Sequence, residues 1–331
     1  MIGIFGAGAI GCWMGGRLAS GGADVVLVGR PRVMAEVADG VRVSDVEGAP
    51  RVGRVRTATA AAALADATIV IVTVKSKDTT QAARELAPIV RCPVVSLQNG
   101  VRNAAMLAAE LPGRRVLAAM VPFNVVRRGP GEYHRATGGK SGALAIEDVP
   151  EAAELVAACA AAELAIHTTR DIASVQWAKL LFNLNNALNA LSGLPLAEQL
   201  SQRAYRRCFA ACQREALAAM RAAGIHPAKL SAIPPSWMPR LLSLPDAIFT
   251  RLARSVIAVD PAARSSMSDD FAAGRETEID YLQGEVVALA ARAGTAAPVN
   301  ARVIELVRGP RRAWSADEMA AALLSSDRTA T

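Results

Sequence analysis

The stretch that decides the fold is the N-terminal run Met1-Ile2-Gly3-Ile4-Phe5-Gly6-Ala7-Gly8-Ala9-Ile10-Gly11. The apolar residues Met1–Phe5 predict a short buried strand, and the G-x-G-x-x-G pattern behind it predicts a tight turn into a helix over about Cys12–Ser20. Gly6 would make the turn, Gly8 would let the backbone approach a pyrophosphate, and Gly11 would let helix and strand pack closely. The helix start offers unpaired N–H groups and a positive dipole end to phosphates. The context therefore predicts a dinucleotide site formed by Gly6, Ala7, Gly8, Ala9, Ile10 and Gly11.

The end of the next predicted strand, Asp24–Arg30, indicates which dinucleotide binds. An NAD site usually has an acidic side chain there to hold the ribose 2′-hydroxyl. This chain has Gly29-Arg30-Pro31-Arg32 instead, and Asp24 lies at the opposite end of the strand. We expect Gly29 to leave room for a 2′-phosphate and Arg30 to pair with it, which favours NADP(H).

Strand and helix patterns alternate through the first half of the chain. The β-branched run Ala67–Val74 and the run Pro93–Leu97 predict strands buried on both faces of a parallel, doubly wound α/β sheet. Ligands of such sheets bind beyond the carboxyl ends of the strands, where Lys75 and Asn99 follow the two runs. Further strands are predicted at Arg115–Met120 and Ala143–Ile146, and helices at Ala58–Leu64 and Thr79–Ile89.

Strand patterns end at about Arg170, and alanine- and leucine-rich helical runs follow. We predict one domain over residues 1–170 and a helical domain over residues 171–331. The proline-rich part of Ile233–Val259 is either a lid on the substrate side or a plain connector. The helical runs are Ile172–Leu191, Leu200–Ala223, Ala247–Ala258 and Glu278–Ala291.

Two polar clusters in the helical half are candidates for the reaction chemistry. Lys179 and Asn183 are four residues apart and share one face of a predicted helix, with Asn186 within reach. A lysine and asparagines amid leucine and phenylalanine are costly to bury unless they bind a polar group. The alternative is a lysine that extends to solvent and a core asparagine with its hydrogen bonds made.

The second cluster contains Ser266 and Glu278, twelve residues apart. On one straight helix they would lie ~18 Å apart, too far to share a small substrate. Gly274 offers a break, and Thr277 with Asp280 fits a capping box that opens a new helix. We therefore expect two short helical segments that bring Ser266 and Glu278 to one cleft.

Composition argues against several other classes of protein, namely nucleic-acid-binding, membrane and metal-binding proteins. The net charge is +7, but the basic residues are scattered and only 4% of residues are aromatic, so no nucleic-acid surface is predicted. No run reaches the ~18 apolar residues of a membrane span, and no membrane role is predicted. The five cysteines have no zinc spacing, so we expect reduced thiols, a cytoplasmic protein and no metal site.

Taken in order, these motifs resemble those of the ketopantoate reductase (2-dehydropantoate 2-reductase) family along nearly the whole chain. The resemblance implies a Rossmann-type domain followed by an all-helical domain, with NADPH between them. It implies Lys179 as proton donor, Asn183 and Ser266 as substrate ligands, and Lys75, Asn99 and Glu278 around the cofactor and reaction centre. It rests on GAGAIG at Gly6–Gly11, Val74-Lys75, Leu97–Gly100, Trp177-x-Lys179-Leu-x-x-Asn183, Ser265–Met267, Gly274–Asp280 and Pro298–Asn300.

The implied reaction is NADPH-dependent reduction of a 2-oxo acid, with 2-dehydropantoate to pantoate in pantothenate synthesis as the first expectation. Lys179 would donate the proton, and Glu278 would orient the lysine. Ser266, Asn183 and Asn99 are candidates to bind the substrate carboxylate. Ala187 stands where the family often has a second asparagine, so the identity of the 2-oxo acid substrate is left open, whereas the type of reaction is not. The alternatives are a reductase for a different 2-oxo acid and an NADP-sensing protein without turnover. The oligomeric state is also open, with a homodimer as one expectation.

Overall fold

The computed structural model describes residues 1–46, 49–136, 142–253 and 263–325. The chain divides into two compact units, Met1–Ile172 and Ala173–Thr331. Among the described residues, no helix is both long enough and apolar enough to cross a membrane.

The first unit combines strands and helices. Its elements are β1 Ile2–Phe5, α1 Ala9–Ser20, β2 Val25–Val28, α2 Pro31–Glu36, β3 Val41–Ser44, β4 Arg51–Gly53, β5 Arg56–Ala58, β6 Ile69–Val72, α3 Thr79–Leu86, β7 Val94–Ser96, α4 Asn103–Glu110, β8 Val116–Met120, β9 Val125–Gly129, β10 Glu132–Arg135, β11 Leu144–Glu147, α5 Ala153–Ala161 and β12 Ile166–Thr169.

Eight of these strands form the main sheet, with the order β12-β11-β8-β7-β6-β1-β2-β5 in the described residues. Neighbouring strands are parallel except β8 and β11, which are antiparallel. Four short strands form a second sheet with the order β4-β3-β10-β9.

The large sheet is buried on both faces, which explains its continuous apolar strands. In β1, Ile4 packs into a cluster with Trp13 and Leu18 of α1. Phe5, which points to the other face, packs into a cluster with Leu86 of α3. Helices therefore cover both sides, and the predicted α/β architecture with a parallel-dominated sheet is confirmed.

The small sheet was not predicted, because its strands are short and carry charged residues. Its strand β4 lies directly against α1. An added Cβ on Gly53 would lie 2.0 Å from the carbonyl oxygen of Gly16, so only glycine allows this approach.

The predicted helix over Ala58–Leu64 is wrong at its start. Arg56–Ala58 form β5, which pairs in parallel with Val26–Val28 at the sheet edge. Only Ala61–Leu64 are helical, as a single 3₁₀ turn. Pairing with β2 outweighs the helix propensity of the alanines.

The second unit is helical, in agreement with the sequence pattern. Its elements are α6 Ile172–Asn183, α7 Asn185–Ser192, α8 Leu196–Ser201, α9 Arg203–Ala222, α10 Met238–Leu242, α11 Asp246–Ala253, α12 Ser266–Ala272, α13 Gln283–Arg292, α14 Pro298–Arg308 and α15 Ala316–Leu324, with 3₁₀ turns at Pro235–Trp237 and Ile279–Tyr281. The predicted helix Ala247–Ala258 corresponds to α11 as far as Ala253, and its remainder lies outside the described residues.

Two of the long predicted helices are interrupted. The run Ile172–Leu191 breaks at Leu184, between α6 and α7. Buried Gln213 donates to the Leu181 carbonyl at 3.1 Å, and buried Gln283 donates to the Leu184 carbonyl at 2.8 Å. These side-chain amides satisfy one carbonyl group just before the break and one at the break itself, which a sequence pattern cannot reveal. The run Leu200–Ala223 breaks at Gln202, whose ψ of 118° is extended.

The region after Ser266 confirms one expectation and corrects another. Gly274 has φ +72° and follows the end of α12, so the predicted break is present. Thr277 and Asp280 do not form a capping box, because the 3₁₀ turn at Ile279–Tyr281 has no side-chain cap. The helix predicted over Glu278–Ala291 begins only at Gln283.

Candidate active site

The predicted cofactor residues of the first unit follow four neighbouring strands. The glycine turn follows β1, Arg30 follows β2, Lys75 follows β6 and Asn99 follows β7. These strands are consecutive in the sheet and mutually parallel, so their carboxyl ends lie along one edge. The expected convergence at this edge is confirmed, whereas the roles of the individual residues stay predictions.

The glycine turn has the geometry that its pattern predicts. Gly6 has φ +118°, in the region that favours glycine, and an added Cβ on Gly11 would lie 2.0 Å from the Gly6 carbonyl oxygen. The hydroxyl of Thr73, just after β6, donates to that same carbonyl at 2.6 Å. Thr73 therefore holds the turn closed, a function that the sequence pattern did not identify.

Gly8 differs from the other two glycines because space is open beside it. The nearest described atom to an added Cβ would be the Thr73 carbonyl oxygen, 3.9 Å away. Gly8 is also the N-cap of α1 and supplies no side-chain cap, so the N–H groups of the first turn remain available. An open glycine at the start of a twelve-residue helix fits the pyrophosphate of a dinucleotide.

The end of β2 explains both Gly29 and Arg30. An added Cβ on Gly29 would lie 2.3 Å from the Cβ of Ala7. Gly29 is therefore needed for packing against the glycine turn, and the expectation that it also leaves room for a 2′-phosphate stays a prediction. Arg30 is exposed, and its side chain has no hydrogen bond or ion pair with a described residue. The Arg32 side chain, by contrast, pairs with Glu36 at 3.0 Å.

A buried hydrogen-bond network holds the two loops that carry Lys75 and Asn99. Gln98 donates to the Val74 carbonyl at 3.0 Å and to the Thr79 hydroxyl at 2.8 Å. Thr79 donates to the Asn103 side chain at 3.0 Å. The Asn103 amide in turn reaches the Ser76 hydroxyl at 3.1 Å and the Asn99 carbonyl. These polar groups join the loops after β6 and β7, so Lys75 and Asn99 are held relative to one another.

In the helical unit, Lys179 and Asn183 both lie on α6, one turn apart, as predicted. Burial lowers the pKa of Lys179 to about 8. Within the residues that the structure describes, Lys179 has no carboxylate partner and the buried Asn183 side chain makes no hydrogen bond. A lysine whose pKa is lowered by burial and an amide without a side-chain hydrogen-bond partner therefore lie on one helix face, an arrangement that suits a polar ligand.

Asn186 and Ser266 are connected through Ser265. The Ser265 hydroxyl donates to the Asn186 carbonyl at 3.0 Å, and the Ser265 N–H donates to the Asn189 side chain at 2.9 Å. Ser265 is also the N-cap of α12, so it fixes the start of the helix whose first residue is the exposed Ser266. Buried Asn189, which the sequence analysis did not single out, is the centre of this arrangement.

Glu278 is half-buried and directly precedes the 3₁₀ turn Ile279–Tyr281. The expectation that two short segments follow one another here is confirmed by α12 and this turn. The approach of Ser266 and Glu278 to a common substrate stays a prediction.

The glycine turn on a parallel sheet, followed by a helical unit, defines the class as a dinucleotide-binding protein of the Rossmann type. Residues 2–151 match the family model for ketopantoate reductase PanE/ApbA, and residues 171–311 match the model for its C-terminal domain. The chain belongs to the ketopantoate reductase family, whose members are NADP-dependent oxidoreductases acting on CH–OH groups.

Individual relatives agree with the family models. The chain is 31% identical to a 2-dehydropantoate 2-reductase of Halobacterium salinarum, over 93% of this chain and 98% of that protein. A crystal structure of a PanE/ApbA family ketopantoate reductase from Ralstonia eutropha JMP134 has a TM-score of 0.78 at 30% identity, covering 93% of this chain and 97% of that one. A D-mandelate dehydrogenase with NADH and anilino(oxo)acetate has a TM-score of 0.75 at 18% identity, with coverage of 93% and 97%, and shares the fold.

Alanine at Gly8 and at Gly11 should both weaken NADPH binding but should differ in their effect on the melting temperature. Gly11→Ala collides with the Gly6 carbonyl, so we expect a lower melting temperature together with weaker NADPH binding. Gly8→Ala meets no described atom closer than 3.9 Å, so the melting temperature should hold while NADPH affinity falls. Thermal unfolding and NADPH titration of both variants measure this difference. Unchanged NADPH affinity in Gly8→Ala would contradict a pyrophosphate position at Gly8.

Arg30 and Arg32 provide a matched pair for cofactor preference. We expect Arg30→Ala to reduce the NADPH-over-NADH ratio of kcat/KM by roughly ten- to a hundredfold, the scale of a charge-assisted hydrogen bond. Arg32→Ala removes the same charge but only breaks the surface pair with Glu36, so the ratio should stay within about twofold. Equal ratios in the two variants would remove Arg30 from the 2′-phosphate site.

Proposed function

We propose that this protein reduces a 2-oxo acid to the 2-hydroxy acid with NADPH, and that its substrate is 2-dehydropantoate, which gives pantoate for pantothenate synthesis. The observation that carries the proposal is Lys179, a desolvated lysine whose pKa lies at about 8 and which has no carboxylate partner among the described residues. The identity to 2-dehydropantoate 2-reductases supports the choice of substrate.

NADPH, when bound, supplies the hydride that reaches the carbonyl carbon of the substrate. Negative charge then develops on the carbonyl oxygen, and the Lys179 ammonium stabilises this charge and donates its proton to the oxygen. A pKa of about 8 suits this role, because the lysine is mostly protonated at neutral pH yet gives up its proton readily. Glu278 is not an ion-pair partner of Lys179 in the structure, so its orienting role stays a prediction. The deprotonated lysine regains a proton from solvent after product release.

The substrate carboxylate needs neutral hydrogen-bond donors. Asn183 offers a side-chain amide with no partner among the described residues, and Ser266 offers an exposed hydroxyl at the first residue of α12. Asn186 lies one helical turn from Asn183 across the Leu184 break, and Asn99 follows β7. Ala187 is fully buried, so the position that departs from the family pattern lies in the core of the helical unit.

The second candidate is reduction of a different 2-oxo acid by the same residues. Purified protein should be assayed by NADPH oxidation with 2-dehydropantoate and a panel of branched, aromatic and linear 2-oxo acids. We expect kcat/KM for 2-dehydropantoate to exceed that of each alternative by at least about tenfold, the scale of one misfitting group in a pocket. A higher value for another acid would establish the second candidate, and no turnover with any acid would favour an NADP-sensing protein.

Lys179→Met should separate a catalytic lysine from a structural one. We expect kcat to fall roughly 10²–10⁴-fold, the contribution of a positioned proton donor, while NADPH affinity changes little. Folding lowers the pKa of Lys179 from 10.5 to about 8, so its charge opposes folding below pH 8 and this cost is relieved as the pH rises toward 10.5. The melting temperature of Lys179→Met at pH 7 should therefore not decrease.

The pH dependence provides an independent test of Lys179. In the unmodified protein, reductive kcat should decline as the pH rises through about 8, because the proton donor is lost, and oxidation of the 2-hydroxy acid should show the opposite trend. Lys229→Met is the matched control, since Lys229 is an exposed lysine of the same unit. Near-normal kcat in Lys179→Met, with a lower melting temperature, would remove Lys179 from the mechanism.

A further inference from the structure

A cavity of about 870 Å³ lies in the helical unit, and the described residues of its lining include none of the candidate cofactor, substrate or catalytic residues. One wall is α9, and the other is the proline-rich segment from Pro235 to Pro245. Its volume is in the range of small-molecule sites, which is about 300–1,000 Å³. Neither the sequence motifs nor the proposed reaction uses this cavity.

The cavity is lined by cations. Arg203, Arg214 and Arg221 line it from α9, at spacings of eleven and seven residues, which are about three and two helical turns. Arg240 lines it from the proline-rich segment, and His226, which carries an imidazole, lines it from the loop that follows α9. None of the described residues that line the cavity is acidic.

The nearest acidic residues in the sequence are engaged elsewhere. Glu215 accepts hydrogen bonds from the backbone N–H groups of Val299 and Asn300, at 2.7 and 2.9 Å. Asp246 pairs with the buried Arg206 at 2.8 Å. The side chains of Arg214 and Arg221 have no hydrogen bond or ion pair with any described residue, so their guanidinium groups are available to a ligand.

The surroundings of these cations are apolar and rigid. Leu217, Ile225 and Leu244 line the cavity together with Pro235 and Pro239, whose backbones are restricted. Trp237, next to the lining residue Ser236, has a 60% exposed side chain, and the Arg240 guanidinium lies 5.5 Å from its ring centre. A flat ring can stack on such an exposed tryptophan while phosphates pair with the arginines.

We propose that this cavity is a binding site for a nucleoside polyphosphate. The phosphates pair with Arg214 and Arg221, assisted by Arg203, Arg240 and His226, and the base stacks on Trp237. The volume of about 870 Å³ favours a small molecule over a nucleic acid, which needs a continuous basic surface and repeated stacking positions. All lining residues lie between residues 203 and 245, so the site belongs to the helical unit alone.

The test is calorimetric titration of the full-length protein with ATP and, separately, with inorganic tripolyphosphate, in the presence of saturating NADP⁺ so that dinucleotide sites are filled. We expect saturable ATP binding and about tenfold or greater weakening in Arg214→Gln/Arg221→Gln, since two charge-assisted contacts are lost. Trp237→Ala should weaken ATP binding severalfold and leave tripolyphosphate binding within twofold.

The control is Arg207→Gln/Arg292→Gln, which removes the same two charges from exposed positions outside the cavity lining. Affinity within twofold of the unmodified protein in this control supports the site. Equal weakening in both double variants, or no saturable ATP binding up to millimolar concentration, would overturn the proposal. Equal affinity for ATP and tripolyphosphate, unaffected by Trp237→Ala, would overturn the assignment of the nucleoside.

Discussion

The architecture of the first unit depends on one close backbone approach, between the α carbon of Gly11 and the carbonyl oxygen of Gly6. Any side chain at Gly11 would place its Cβ 2.0 Å from that oxygen. The Thr73 hydroxyl donates to the same carbonyl and so connects the turn to the end of β6. This contact fixes where α1 starts relative to β1 and β6, and hence where its uncapped N–H groups lie relative to the neighbouring strand ends.

The helical unit depends instead on buried amide side chains. Asn189 donates to the Leu194 carbonyl at 2.9 Å and to Gln199 at 3.2 Å, while it accepts from the Ser268 hydroxyl at 2.7 Å. Such networks specify one arrangement because each missing partner would leave a buried polar group unsatisfied. The same network connects α7 to the start of α12, so it positions the candidate substrate residues indirectly.

Two cations of the helical unit illustrate how a structural charge differs from a candidate catalytic one. Arg206 is fully buried, donates to four backbone carbonyls, pairs with Asp246 and lies 4.0 Å from the ring centre of Phe249. Every part of that guanidinium therefore has a partner. Lys179 has desolvation without comparable compensation among the described residues, and its pKa falls to about 8 as a result. The difference in partners, rather than in burial, is what distinguishes the lysine as a candidate for chemistry.

The sequence by itself determined the elements whose physics is local. These elements are the glycine turn, the apolar parallel strands and the placement of Lys179 and Asn183 on one helix face. Each follows from short-range spacing in the sequence, because backbone geometry fixes which nearby residues share a face or a turn. Tertiary structure alone decided the break at Leu184, the strand at Arg56–Ala58 and the small second sheet. Their backbone groups are satisfied by partners distant in sequence, such as Gln213, Gln283 and β2. The packing of Gly29 against Ala7 and the basic cavity also required the fold, because each brings together segments that are separate in the sequence.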